Sequence, residues 1–218
     1  DLSVPMLNEI AEKAIAVKEE DGESCLILDD WSEELKDKKI EKALKKLIFK
    51  SNPYLIINAS GITNVDYCEL NPEECNDVNV LATQKLWDEA QKINAHFQLV
   101  STDFIFDGLK GNYKETDPVK PFNNYGLSKL GGECAVSMYK NSLILRVTMT
   151  EKPFAHDAAF TNLKTNFMFH EDLVEILPKI INPSIDKTTG LLQCVIANHC
   201  SPNKKLAINN IIPPINIW

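Results

Sequence analysis

The stretch "YLIINA", residues 54–59, decides the reading of this chain. Leu55, Ile56 and Ile57 follow one another with no polar residue between them, so a strand here must be covered on both faces, the pattern of a parallel sheet. Three further runs have the same character: "SCLIL" (24–28), "FQLVST" (97–102) and "SLILRV" (142–147). Between the first two strands, Ile40, Ala43, Leu44, Leu47 and Ile48 recur at the spacing of one helical face, with lysines on the other. A second helix is expected after Asn71 as cap, with Pro72 at its first position, Glu73 and Glu74 at the positive end of its dipole, and Val78, Ala82, Leu86 and Ala90 as its apolar face. A third runs from about Asn124 to Tyr139. Strands alternating with helices predict an α/β fold, a doubly wound parallel sheet covered by helices. Upstream, "MLNEIAEKAIAV" (6–17) reads as a helix entering the "CLIL" strand. After Arg146 the regularity fails; "HEDLVEILPKII" (170–181) reads as one helix and "LLQCVIA" (191–197) as one strand of a smaller carboxyl-terminal lobe.

Composition narrows the function classes. The 218 residues are 44% hydrophobic and 25% charged, enough for one core-forming domain with a smaller lobe. A net charge of −8 and a single arginine, Arg146, argue against a surface that tracks nucleic-acid phosphates. The six cysteines, at 25, 68, 75, 134, 194 and 200, form no CxxC pair, and the four histidines show no HxxxH or HExxH spacing, so no metal is expected. No apolar run approaches the roughly 20 residues of a membrane helix, and no signal peptide is visible. A cytoplasmic location with free thiols serving as small core residues is the expectation.

In open parallel sheets ligands bind beyond the carboxyl ends of the strands. "STDFIFDG" (101–108) puts Ser101, Thr102 and Asp103 at such an end, where a hydroxyl can meet a substrate oxygen. In "YGLSK", Tyr125 and Lys129 stand four residues apart, on one face of the third helix. An ammonium beside a phenol favours phenolate, so this spacing predicts a Tyr125 pKa drawn down from about 10. The spacing alone is common; its weight comes from the strand-end threonine that precedes it.

Together the blocks "INASGITNVDYCE" (57–69), "VNVLAT" (78–83), "STDFIFDG", "YKETDPVKPFNNYGLSKLGGE" (113–133) and "LILRVT" (143–148) resemble the dTDP-4-dehydrorhamnose reductase (RmlD-like) family of the extended short-chain dehydrogenase/reductase superfamily. The likeness is nearly continuous from 54 to 148. It implies a Rossmann-like NAD(P)-binding domain over 1–148 and a small substrate-binding lobe over 149–218. It further implies NADPH or NADH as cofactor and reduction of a nucleotide-linked 4-keto-6-deoxy sugar. Tyr125 would give a proton to the keto oxygen, Lys129 would hold the nicotinamide ribose, and Thr102 would orient the carbonyl. Ser60, Gly61 and Thr63 match positions lining the dinucleotide, Asp29 or Asp30 falls near its adenine end, and Asp103 and Met149 fall near the sugar. The resemblance leaves room for a homodimer.

Three departures accompany it. No GxGxxG loop, which would cradle a pyrophosphate, occurs in the chain. Met149 stands where the family carries an aromatic residue. The stretches 149–170 and beyond Ala197 are shorter than the family leads one to expect. The first strand and glycine loop are expected upstream of residue 1 or at a splice in the first few positions, with similar omissions in the substrate lobe. A second function class therefore stands beside the reductase: a non-catalytic regulatory or binding subunit on the same scaffold, like the methionine adenosyltransferase beta subunit. A sugar-nucleotide epimerase or dehydratase is a third.

Overall fold

The computed structural model describes residues 15–18, 24–28, 38–109, 112–150, 168–169 and 190–194. In chain order the elements are β1 (Ile15–Lys18), β2 (Ser24–Leu28), α1 (Lys38–Ser51), β3 (Leu55–Asn58), α2 (Val65–Leu70) and α3 (Pro72–Asn76). A π-helical segment, Asp77–Ala82, leads without a break into α4 (Thr83–Lys92). There follow β4 (His96–Ser101), a 3-10 turn (Asp103–Ile105), α5 (Asn124–Val136), β5 (Ser142–Val147), β6 (Met149–Thr150), β7 (Met168–Phe169) and β8 (Gly190–Cys194). The fold is α/β and Rossmann-like.

Six strands form the main sheet in the order β1-β2-β3-β4-β5-β8. From β2 onward every neighbouring pair is parallel. Leu55, Ile56 and Ile57 are all essentially inaccessible, as a strand covered on both faces requires. One side of the core joins Leu26, Leu28, Ala43, Leu44 and Ile48 to Leu86, Ala90, Phe97 and Leu99, so α1 and α4 pack on the sheet through the faces their periodicity marks. A smaller cluster, Ile62, Cys68, Cys75, Val78 and Tyr125, lies beyond the strand ends. No helix among the described residues is long and apolar enough to cross a membrane.

Several expectations need correction. Residues 15–18 form an edge strand antiparallel to β2, pairing Ile15 with Ile27 and Val17 with Cys25, where a helix over 6–17 was expected. The adjacent Ile15, Ala16 and Val17 suit a strand paired to the sheet edge, and this tertiary pairing overrides the helical pattern. The strand expected at 191–197 is Gly190–Cys194 and extends the main sheet beside β5, so this piece of 149–218 is part of the larger body. The helix expected at 170–181 lies outside the described residues, as do most of the first residues and the stretches suspected of omissions. Asn71 precedes α3 as expected, but its side-chain amide donates to the Tyr67 carbonyl at 3.1 Å instead of capping the new helix. Cys68 and Cys75 are not free: they form a disulfide between α2 and α3, with Cα atoms 5.6 Å apart. The turn at Asn71 folds the two short helices back on each other, and so brings together thiols that spacing alone left unpaired. Cys25 is buried in the core, and Cys134 is a free, exposed thiol.

Candidate active site

Three elements converge beyond the carboxyl ends of β3 and β4. The β3 strand ends in Asn58, whose carboxamide oxygen accepts hydrogen bonds from the Ser60 hydroxyl at 2.6 Å and the Ser60 amide at 3.2 Å. The Asn58 amide in turn donates to Thr83 Oγ1 at 3.1 Å. Ser60 is thereby fixed at the start of the loop. Asn79, in the π-helical segment, holds the next residues: its Oδ1 accepts from the Ile62 amide at 2.9 Å, and its Nδ2 donates to the Ile62 carbonyl at 3.0 Å. Gly61 is required by this closeness, since a Cβ there would stand 2.8 Å from Asn79 Oδ1. The wide π turn, a feature that recurs at functional sites, carries Asn79 to this position.

The same Asn79 amide donates to Ser128 Oγ at 2.9 Å, and Ser128 Oγ donates to the Tyr125 carbonyl at 2.8 Å. One buried carboxamide thus ties the loop after β3 to the helix that bears Tyr125 and Lys129. Helix α5 starts at Asn123, whose side chain accepts from the Gly126 amide at 2.7 Å. The Glu69 carboxylate accepts from the Asn124 backbone amide at 2.7 Å, where a negative charge meets the positive end of the helix dipole. Gly132 lets α5 lie directly on the π segment, because a Cβ there would be 2.7 Å from the Asn79 carbonyl oxygen.

Thr102, Tyr125 and Lys129 are brought together and are all buried. The Thr102 hydroxyl lies close enough to the Tyr125 phenol to influence its ionisation and accepts from the Phe104 amide at 3.3 Å. The phenol ring packs edge-on against Phe104, with centroids 5.5 Å apart. Lys129 Nζ donates to the Val100 carbonyl at 2.8 Å, two residues before Thr102, and would lie 3.7 Å from a Cβ placed on Gly61. Its ammonium has three protons and one protein acceptor among the described residues, leaving donors beside the Ser60–Gly61 loop.

The electrostatics correct the expectation of a lowered phenol pKa. Burial pushes the Tyr125 phenol up; the polar Thr102 side chain beside it opposes the rise, and the nearby Asp103 charge adds to it. Burial also draws Lys129 down to about 8, against the opposing pull of Glu133. The ammonium is engaged with a backbone carbonyl and is itself poorly solvated, so desolvation outweighs the charge effect that the four-residue spacing suggests.

Other expected residues fall differently. Asp103 is half-buried beside Thr102, whose hydroxyl reaches it only at 3.4 Å. Met149 opens β6 and is 38% exposed. Thr63 is exposed and stands outside the Asn58–Asn79 network. Asp29 and Asp30 lie outside the described residues. Asn58, Asn79 and Ser128 were missed, although all three sit inside the blocks that carry the resemblance; a buried asparagine within an apolar run is the signal that could have marked the first two.

Comparison with known proteins fits this arrangement. The chain is 38% identical over 120 residues to a dTDP-4-dehydrorhamnose reductase of Aggregatibacter actinomycetemcomitans, covering 54% of this chain and 41% of that protein. It is 37% identical over 107 residues to methionine adenosyltransferase 2 subunit beta of Xenopus tropicalis, covering 48% of this chain and 32% of that one. The chain therefore spans well under half the length of these relatives. The structure of a dTDP-4-dehydrorhamnose reductase from Yersinia enterocolitica superposes with a TM-score of 0.61 at 25% identity, covering 81% of this chain and 69% of that one. The family model described as the RmlD substrate binding domain matches residues 10–165, and the chain belongs to that family.

Proposed function

We propose that this chain is the core of an NAD(P)H-dependent reductase that acts on a nucleotide-linked 4-keto-6-deoxy sugar. The observation that carries the reading is the buried meeting of Thr102, Tyr125 and Lys129 at the ends of β3 and β4, tied through Asn79 to the Ser60–Gly61 loop. The residues present fit the ribose end of a dinucleotide: a desolvated ammonium with donors to spare faces a loop whose glycine permits close approach. When bound, the reduced nicotinamide supplies the hydride.

The chain's own groups handle the proton. A phenol whose pKa is raised stays protonated at neutral pH and can give its proton to the ketone oxygen as negative charge develops there. Thr102, beside that phenol, orients the same oxygen. Lys129 lies one helical turn away, positioned to hold the ribose and steady the phenolate left behind. Asp103 and Met149 border the side on which the sugar would enter. Asp29 or Asp30 would meet the adenine end, and 149–218, apart from β8, would contribute the substrate lobe.

A regulatory subunit is the second reading, favoured by the 37% identity over 107 residues to the methionine adenosyltransferase beta subunit. Titrating the full-length protein with NADPH and NADH, while following nicotinamide fluorescence, separates the two. The reductase reading expects saturable binding and turnover of a dTDP-linked 4-keto-6-deoxy sugar. Absence of binding at millimolar cofactor would move the assignment to the regulator.

A further inference from the structure

Tyr125 and Lys129 continue, at the same four-residue interval, to Glu133, so the three side chains line one face of α5. Glu133 is 3% exposed and is held from two other elements. Arg146 of β5 grips it twice, Nη2 to Oε2 at 2.6 Å and Nε to Oε1 at 3.0 Å. Ser101, the residue before Thr102, donates its hydroxyl to Oε1 at 2.6 Å. The guanidinium also lies 5.4 Å from the centroid of Phe106, just past the 3-10 turn.

We propose that Glu133 is a positioning residue of this site: clamped by Arg146 and Ser101, its carboxylate steadies the Lys129 ammonium and supplies the counter-charge that lets a cation persist in so dry a place. The role of that cation toward a ribose rests on the reductase reading, whereas the coupling between the two side chains does not. Tyr125 and Glu133 are the other titratable groups on the helix face of Lys129, with Arg146 behind Glu133 and Asp103 beyond Tyr125. The loop after β3 approaches it at Gly61, which the neutral Asn79 of the π segment also flanks. Glu133 is thus the acidic group that opposes the desolvation of Lys129. A merely structural ion pair would need Arg146 alone, and would leave the behaviour of Lys129 indifferent to its loss.

The test is Glu133→Gln in the full-length protein, with Lys129 titrated by NMR of its ε-carbon and NADPH affinity measured from pH 6 to 9. The Lys129 midpoint should move to lower pH than in the wild type. For a midpoint lowered by about one pH unit, NADPH affinity should fall about fivefold at pH 8, approach tenfold at pH 9, and change little at pH 6. Because the single variant strands a buried guanidinium and can unfold, Glu133→Gln combined with Arg146→Met removes both charges while keeping the volume filled. A folded Glu133→Gln variant with an unmoved Lys129 midpoint overturns the proposal, as does a folded double variant whose midpoint equals that of Arg146→Met alone. A moved midpoint in a protein that binds no NADPH upholds the coupling and overturns the reductase reading alone.

Discussion

Helices α1 and α5 are nearly equal in length, 14 and 13 residues, yet they treat charge in opposite ways. Along α1, Lys42, Lys46 and Lys50 face water, and Glu41 meets Lys45 at 2.7 Å and Lys85 of α4 at 2.8 Å at the surface. Along α5 the polar residues Tyr125, Ser128, Lys129 and Glu133 point inward and are buried. A surface pair gains little, because water already solvates both partners. A buried charge is costly unless it is paired, so its retention marks a demand other than stability. The helix with the ordinary amphipathic stripe builds the fold, and the one that violates it carries the site.

That contrast can be broken most severely at Tyr125. Tyr125→Phe removes one oxygen and should lower ketone turnover by roughly 10²–10⁴-fold with cofactor affinity nearly unchanged, measured under saturating NADPH. Full activity would remove Tyr125 as the acid. Lys129→Met gives the next effect, on stability against pH. The folded protein holds this lysine at about 8 against an ordinary 10.5, so above pH 8 the unfolded chain binds more protons and stability rises with pH. The wild type should therefore gain up to roughly 3 kcal/mol, relative to the methionine variant, between pH 7 and pH 11. Parallel urea melts at several pH values measure this difference, and identical pH profiles would refute it.

Asn79→Ala comes third. It strips hydrogen bonds from both backbone groups of Ile62 and from Ser128, and should cost roughly 2–3 kcal/mol while weakening cofactor binding. A thermal melt together with a fluorescence titration checks both parts. The smallest effect belongs to α1: Glu41→Gln breaks two surface pairs and should cost under about 1 kcal/mol, vanishing in high salt. A loss comparable to that of Asn79→Ala would erase the distinction between the helices.

Much of this was open to inspection in the chain itself. Strands covered on both faces write themselves as unbroken apolar runs, which is why β2 through β5 are found near their expected places. The α1 stripe and the Tyr125–Lys129 interval are periodic, and periodicity survives folding. What stayed hidden depends on relations between elements. Asn79 reaches the loop only because the helix widens at 77–82, which no spacing announces. Cys68 and Cys75 meet because two short helices fold back at Asn71. The direction of the Tyr125 shift follows from desolvation and from where Lys129 Nζ points, both products of packing.

Helix α5 carries Gly126, Gly131 and Gly132 within its span. Each interior glycine lowers intrinsic helicity by about 1 kcal/mol relative to alanine. Cut out as a peptide, this segment should be a coil. The Tyr125–Lys129 arrangement is then assembled only when the segment docks on the π segment and the sheet, so partial unfolding would dissolve the candidate site while the strands are still paired.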